Sequence, residues 1–285
     1  MNHITAKTKL LGVIGNPIEH SFSPKLHNYI IEQMNSDYVY TAFNVEASDL
    51  KYVTDAIRAL GIKGINVTAP YKAQIMQYLD VISDDARLFN SVNTVVNRNG
   101  KLYGYTTDAE GCYASLVNEG IEICNKNVLV IGAGGVVTPT IIRLIRENPK
   151  SVTVVNRTQS KTNILMEDIF NKTGYKISTN MDISSYDVVI NTTSAGMSPK
   201  EDILPTDSIE CIKNLDFINE KTSVVDMIYN PEKTFFLREC EKRGAKIANG
   251  LGMLIYQGIF AYELFTDTTL PTNIADMIKK EVFNR

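Results

Sequence analysis

The sequence predicts an α/β fold in two domains, and three observations carry that prediction. The chain has 285 residues, long for one compact core and comfortable for two. Short β-rich runs alternate with helical stretches along most of its length, a pattern that implies parallel sheet covered on both faces. Near the middle, the strand-like run Val128–Ile131 passes directly into Gly132-Ala133-Gly134-Gly135, the junction that opens a Rossmann-type domain.

The elements follow in order. Lys9–Gly15 is a β-rich run ending in glycine and reads as a strand. Pro24–Asn35 carries Leu26, Ile30 and Met34 at four-residue steps, which predicts an amphipathic helix. Tyr38–Val45 is strand-like, Ser48–Leu60 a helix stopped by Gly61, and Gly64–Val67 a short buried strand. A helix is expected over Lys72–Leu79. Thr94–Asn97 and Leu102–Tyr105 flank Arg98-Asn99-Gly100-Lys101, a hairpin signal. A helix over 108–119 leads to the strand Asn127–Gly132. Val152–Asn156, Asp187–Thr192 and Ser223–Ile228 are further strands with helical stretches between them. After Lys246–Asn249, helices over Leu251–Leu264 and Asn273–Val282 close the chain. They are expected to pack back on the first domain, because the second sheet is complete by then. The expected domains are residues 1–107 plus about 252–285, an α/β substrate domain, and residues 108–251, a dinucleotide-binding domain.

Composition removes several function classes. At 44% hydrophobic and 21% charged, the chain is an ordinary globular sequence. A net charge of −3 and the lack of a basic run of five or more argue against a nucleic-acid groove. Cys112, Cys124, Cys211 and Cys240 lie far apart with no CxxC pair, which suits free thiols in a reducing compartment. His3, His20 and His27 all fall within the first 27 residues and form no ligand spacing, so no metal is expected. The N-terminal apolar stretch is too short for a signal peptide, and Leu251–Tyr262, interrupted by Gln257, is too short to span a bilayer. A cytoplasmic protein without membrane or nucleic-acid partners is expected, with monomer or homodimer left open.

In the glycine loop, the backbone turns tightly and approaches a pyrophosphate, whose charge the following helix N-terminus favours. The match to G-x-G-x-x-G is partial, since Val137 stands at the third glycine position. The next strand sharpens the reading. Where a ribose-binding acid belongs, the chain reads Asn156-Arg157-Thr158, with Lys161 beyond. An arginine there pairs with a 2′-phosphate, so NADP(H) is favoured over NAD(H).

Polar residues also gather at strand ends, where α/β sheets bind ligands. Asn66, Thr68 and Lys72 follow one strand, Asn93 precedes another, and Thr107 and Asp108 follow a third. Each has an ordinary alternative: Asp108 as a helix cap, Asn93 as a turn residue, Lys72 as a surface cation. Such alternatives must hold several times over. The run Gly15–Asn28 poses the same choice. Ser23 before Pro24 reads as a helix N-cap with proline at the first helical position, and Ser21 has no such local role. Both hydroxyls also sit where a helix N-terminus favours an anion.

The ordered segments GNPIEHSFSP, NVTAPYK, SVNT, TTDAEG, GAGGV, NRT, NTTSAG, DMIYNP and NGLGMLIYQ resemble the shikimate dehydrogenase family from about Gly12 to Gln257. The resemblance implies NADPH-dependent reduction of 3-dehydroshikimate to shikimate, in the route to chorismate and the aromatic amino acids. It implies that Ser21 and Ser23 bind the substrate carboxylate, that Thr68, Asn93 and Gln257 hold ring hydroxyls with Asn66 beside them, and that Tyr229 lies on the substrate side. Lys72 and Asp108 match the catalytic pair. Gly132, Ala133, Gly134, Gly135 and Val136 match the pyrophosphate loop, and Asn156, Arg157, Thr158 and Lys161 the adenosine phosphate loop. Met227 and Gly250 match positions lining the nicotinamide, Thr193 lies in a loop of the cofactor side, and Asp84 falls where some members carry a cofactor-linked acid. Four departures from the family pattern stand out: Asn249 for an aspartate, Tyr71 for a phenylalanine, Thr193 and Ala195 around Ser194, and Val137-Thr138 after the glycines. None removes a group that the chemistry needs.

Hydride transfer to a ketone builds negative charge on oxygen, which needs a proton donor. No histidine occurs in the second half of the chain, so Lys72 is the expected donor, oriented by Asp108. One alternative is a quinate/shikimate dehydrogenase using NAD(H), against which Arg157-Thr158 argues. The other is a non-catalytic NADP-sensing protein of the same fold, which would be expected to have lost Lys72 or Asp108.

Overall fold

The computed structural model describes residues 4–181 and 186–284; His3 and the outermost residues of the expected domain ranges lie outside them. The chain divides into two compact units, Met1–Thr107 with Ile255–Arg285, and Asp108–Leu254.

The first unit is built on a six-stranded sheet. Strand β1 (Lys9–Gly15) is followed by helix α1 (Ser23–Gln33), β2 (Tyr38–Asn44), a 3-10 turn over Ala47–Asp49, α2 (Leu50–Ala59) and β3 (Gly64–Val67). A five-residue 3-10 helix (Gln74–Tyr78), β4 (Val81–Ile82), α3 (Asp84–Phe89), β5 (Thr94–Arg98) and β6 (Lys101–Tyr105) come next. The strand order is β2-β1-β3-β5-β6-β4. β1 runs parallel to both β2 and β3, whereas β5 is antiparallel to β3 and β6. The Asn99-Gly100 loop thus closes the hairpin its sequence predicts. The helix expected over Lys72–Leu79 forms only as the 3-10 segment. With Tyr71 and Ile75 buried and the positions between them exposed or half-exposed, the stretch lacks the apolar stripe that stabilises an α-helix against its ends.

Edge strand β2 is tied to α1 by a side chain rather than by another strand. Asn28 accepts from the Tyr40 backbone N–H at 3.0 Å and donates to the Tyr40 carbonyl at 2.8 Å, satisfying an edge that would otherwise be open. Next to it, His27 lies face to face with the Tyr40 ring, with centroids 4.2 Å apart and 2° between planes. His27 is fully buried, and neither ring nitrogen has a hydrogen-bond partner.

The second unit carries α4 (Asp108–Asn118), β7 (Asn127–Ile131), α5 (Val137–Ile145), β8 (Ser151–Val155), α6 (Gln159–Thr173), β9 (Val188–Asn191), a 3-10 turn over Glu210–Ile212, β10 (Ser223–Asp226), α7 (Phe235–Glu241) and β11 (Lys246–Asn249). Its sheet is parallel throughout, in the order β11-β10-β9-β7-β8. The chain leaves β7 to one side for β8 and to the other for β9, so the order reverses beside β7, where doubly wound sheets bind ligands. Helix α4 is pinned to α5 by Arg143, whose guanidinium bonds Glu110 at 2.6 and 3.3 Å and Glu147 at 2.7 Å, and lies 3.7 Å over the Tyr113 ring.

Helices α8 (Leu251–Thr266) and α9 (Ile274–Phe283) end the chain. Their residues from Ile255 onward belong to the first unit: Tyr262 shares a 2.6 Å hydrogen bond with Ser36, the Phe283 ring meets Phe22, and Asp267 pairs with Arg98. Among the described residues no helix is long and apolar enough to cross a membrane.

Burial of His27 makes stability depend on pH. Desolvation lowers its pKa from 6.5 to about 3, so between those values the unfolded chain holds a proton that the folded chain lacks. Its contribution is fully present above the unfolded value and is lost as pH falls toward the folded one. We expect denaturant titrations at pH 7 and pH 4.5 to show roughly 2–3 kcal/mol less stability at the lower pH from this group. His27→Leu should remove that difference. Asp226, pushed up to about 6 mainly by burial, acts with the opposite sign, losing its contribution as pH rises through that value. It is common to both proteins, so the comparison isolates His27.

Candidate functional site

In the first unit, the polar residues at the strand ends form one buried hydrogen-bonded chain. The Tyr40 hydroxyl donates to Asn66 Oδ1 at 2.8 Å. Asn66 Nδ2 donates to the Asn93 carbonyl at 3.1 Å and to Thr94 Oγ1 at 3.2 Å. Thr94 Oγ1 donates to Asn93 Oδ1 at 2.9 Å, and Asn93 Nδ2 donates to Thr107 Oγ1 at 2.9 Å. Thr107 Oγ1 in turn donates to the Gln257 carbonyl at 3.0 Å. Tyr40, Asn66, Asn93, Thr94 and Thr107 are all buried. Four residues singled out from the sequence, Asn66, Asn93, Thr107 and Gln257, therefore stand in one chain with two others, Tyr40 and Thr94. Both Asn66 N–H bonds point inward, so what its amide retains for a ligand is acceptor capacity on Oδ1.

Thr68 and Lys72 lie on the segment after β3, both half-buried. The Thr68 N–H donates to Ile14 and its carbonyl accepts from Tyr71, while the Lys72 carbonyl accepts from Val92, next to Asn93. The backbone leading to Lys72 is thus held to β1, and Lys72 itself to the segment that leads into Asn93. Asp108 is bonded directly to Thr107 and opens α4 from its first residue.

Ser21 and Ser23 exchange the local roles read from the sequence. Ser23 is the first residue of α1, with Pro24 behind it, and the preceding position is Phe22 with no side-chain cap. It is Ser21 whose Oγ accepts a helix-start N–H, that of Ser23, at 3.3 Å. Phe22 already has helical φ and ψ, which moves the start of the helix one residue earlier and hands the capping contact back to Ser21.

In the second unit, the glycine loop follows β7 as expected. Gly132 has φ +119°, and a Cβ there would lie 2.4 Å from Thr192 Oγ1, so no side chain fits. At Gly134 and Gly135 a Cβ would meet nothing within 4 Å: the space over the loop is open to an approaching group, and α5 begins at Val137 with Val136 exposed before it. Asn156 ties its own loop by donating to the Thr158 carbonyl at 3.0 Å. Arg157, Thr158 and Lys161 are exposed at the start of α6, and among the described residues neither cation makes an ion pair. Open backbone at the glycines and unengaged cations beside them fit a dinucleotide with an additional phosphate.

The ends of β9 and β10 are joined by Asp226, which accepts from Asn191 Nδ2 at 2.9 Å, Thr234 Oγ1 at 2.7 Å and the Ile228 N–H at 3.1 Å. Asn191 Oδ1 accepts from the N–H and hydroxyl of Thr193. This fixes Thr193 and the segment carrying Met227 and Tyr229. Burial raises the Tyr229 phenol above its ordinary pKa. Gly250 has a packing reason of its own: a Cβ would overlap the Met227 carbonyl at 2.0 Å. Asp84 is exposed in the first turn of α3, behind the Ser83 cap, a common place for an acid.

The chain matches the substrate-binding domain model of shikimate dehydrogenase over residues 13–95, the shikimate/quinate 5-dehydrogenase model over 115–231 and the shikimate 5′-dehydrogenase C-terminal domain over 250–278. A protein of Methanococcus aeolicus named shikimate dehydrogenase (NADP(+)) is 42% identical over 276 residues, 95% of this chain and 96% of its own length. The chain belongs to the shikimate dehydrogenase family. A crystal structure of a shikimate dehydrogenase in complex with NADP+ superposes with a TM-score of 0.88 at 38% identity, covering 99% of this chain and 97% of the other. The shikimate 5-dehydrogenase of Listeria monocytogenes in complex with shikimate and NAD gives 0.89 at 33% identity, with 98% of each chain covered.

The departures from the family pattern have local explanations. Asn249 donates through Nδ2 to the Glu232 carbonyl at 2.8 Å and accepts through Oδ1 from Leu251 N–H at 3.1 Å. An aspartate could make only the second bond. The Tyr71 hydroxyl, absent from a phenylalanine, donates to the Val45 carbonyl. Val137 is fully buried beneath the loop, so it adds core volume without occupying the open side. Gly132→Ala is expected to destabilise the second unit by roughly 1–3 kcal/mol through backbone strain and the clash with Thr192. Thermal unfolding and NADP+ titration of the folded variant would measure both consequences; an unchanged melting temperature would contradict the geometry.

Proposed function

We propose that this chain interconverts shikimate and 3-dehydroshikimate with NADP(H), and that the physiological direction is reduction of the ketone. The single observation that carries the cofactor choice is the loop after β8: Asn156-Arg157-Thr158 with Lys161, exposed cations and no acid where a free ribose would need one. Family membership over nearly the full chain supports the substrate.

Bound NADPH supplies the hydride. The protein supplies binding, orientation and a proton. Gly132–Val136 present open backbone and a helix start to the pyrophosphate, while Arg157 and Lys161 complement a 2′-phosphate. Thr193, Met227 and Gly250 border the nicotinamide on this reading. Ser21 and Ser23 take the substrate carboxylate, and Thr68, Asn93 and Gln257 take ring hydroxyls with Asn66 accepting beside them. Tyr229 is assigned to the substrate side, and Asp84 to the cofactor side. Lys72 donates its ammonium proton to the oxygen on which charge develops, and Asp108 orients it. In the oxidative direction the neutral amine takes that proton back. The reading places the chain in the cytoplasm, as a monomer or homodimer that sedimentation would distinguish.

The second reading, NAD(H) use with broader substrate range, is favoured by the NAD found with shikimate in the Listeria relative. Initial rates with NADP+ and NAD+ against shikimate and quinate separate the two. Strong preference for NADP+ and shikimate is expected; equal use of NAD+ and quinate would reverse the assignment. Lys72→Ala is expected to lower kcat by roughly 10²–10⁴, the usual range for general acid–base catalysis, with a smaller change in KM. A variant with near-wild-type kcat would remove Lys72 from the chemistry. Arg157→Ala should weaken NADPH about tenfold and leave NADH almost unchanged, whereas equal losses for both would count against a 2′-phosphate contact.

A further inference from the structure

We propose that Tyr40 and Thr94 are positioning residues of the substrate site, holding Asn66 and Asn93 in one hydrogen-bonded chain and so setting how tightly shikimate binds. The proposal rests on the shikimate reading above.

Tyr40 is an interior residue of a strand, 2% exposed, and a plain core role would be met by phenylalanine. The surroundings use more than its ring. Its backbone N–H and carbonyl are both taken by Asn28 of α1, its ring is covered face-on by His27 of the same helix, and its hydroxyl donates to Asn66 Oδ1. The start of α1, which carries Ser23, is thereby fastened to Tyr40 from two successive helix residues. The phenol is a neutral donor aimed at Asn66, the residue assigned beside the ring hydroxyls, while its ring and backbone are held by α1, which carries Ser23.

Asn66 makes this arrangement directional. Its Oδ1 accepts from Tyr40, and its two N–H bonds go to the Asn93 carbonyl and Thr94 Oγ1. An amide used in this way cannot turn without breaking all three bonds. Removing the Tyr40 hydroxyl leaves Oδ1 buried without that donor, and rotation to find another frees the Asn93 end. Thr94 has the matching role at the next link. It accepts from Asn66 and donates to Asn93 Oδ1, and it is fully buried, so it reaches a ligand only through its neighbours.

Steady-state kinetics of the full chain, with shikimate and NADP+ varied separately, test this on wild type, Tyr40→Phe, Thr94→Val and the double variant. Both substitutions keep side-chain shape, and Tyr40→Phe keeps the stack on His27. We expect KM for shikimate to rise about tenfold in Tyr40→Phe and about threefold in Thr94→Val, with kcat and KM for NADP+ within about twofold of wild type. The double variant should show less than the product of the two effects, because both act on Asn66. A lowered melting temperature with KM for shikimate unchanged would reduce both residues to structural ones and overturn the proposal. Equal rises in both KM values would overturn it as well, since that is general loosening. Fully multiplicative effects would break the chain into independent contacts. Should Tyr40→Phe fail to fold, an unchanged KM for shikimate in Thr94→Val overturns the proposal by itself. Wild-type protein that does not oxidise shikimate overturns the functional reading, and this proposal with it, before any variant is compared.

Discussion

A buried polar group must find a partner inside the protein, and at the strand ends of the first unit that requirement governs nearly everything else. Strand β3 delivers Asn66 into a place 6% exposed, where an amide has two donors and an acceptor to satisfy. No backbone ladder does this, because β3 is already paired on both sides. Side chains from β2 and β5 and the Asn93 carbonyl supply the partners instead, and Thr107 carries the chain on to Gln257. The result is a set of polar residues whose mutual geometry is fixed before any ligand arrives. Preorganisation of this kind is what a site needs if binding energy is not to be spent on ordering side chains.

The second unit meets the same requirement with a charge. Asp226 is buried at the end of β10 and accepts three hydrogen bonds, from β9, from the turn that follows it and from the start of α7. Desolvation pushes its pKa up to about 6 while those bonds oppose the shift. A buried carboxylate is costly unless it is well satisfied. Here it adds a side-chain tie to the paired ends of two loop-bearing strands and connects them to the start of α7. Arg143 acts similarly on the outer side, with two carboxylates and one aromatic face holding α4, and with it Asp108, against the helix that leaves the glycine loop.

Backbone-driven features are legible in the sequence. The glycine loop is visible because no residue with a Cβ can occupy Gly132, and the hairpin because Asn99-Gly100 suits a two-residue turn. The parallel strands of the second unit are visible as apolar runs at regular intervals. What escapes depends on partners distant in the chain. Tyr40 reads as an ordinary strand aromatic, and its hydroxyl acquires meaning only beside Asn66, 26 residues away. Thr94 is one more β-branched residue in a strand. The reversal of Ser21 and Ser23 turns on the backbone angles of Phe22, which a local pattern does not specify. The 3-10 segment at Gln74–Tyr78 reads wrongly as an α-helix because helix-forming residues are present without an apolar face to anchor them.

The departures from the family pattern show where such a site tolerates change. Val137 replaces a small residue but is wholly buried, so the loop above keeps its open face while the core below gains volume. Tyr71 adds a hydroxyl that finds the Val45 carbonyl. Asn249 gives up a negative charge and gains a donor, and its two bonds tie the start of α8 to the loop after β10. Each change is absorbed on the protein side of its loop. On the reading proposed above, the groups that meet ligands are backbone N–H at the glycines, hydroxyls at Ser21, Ser23 and Thr68, and the Lys72 side chain. These are groups suited to a carboxylate, a ring hydroxyl, a pyrophosphate and a developing alkoxide. On that reading, the departures lie in how the chain supports the site rather than in the groups it offers to the substrate.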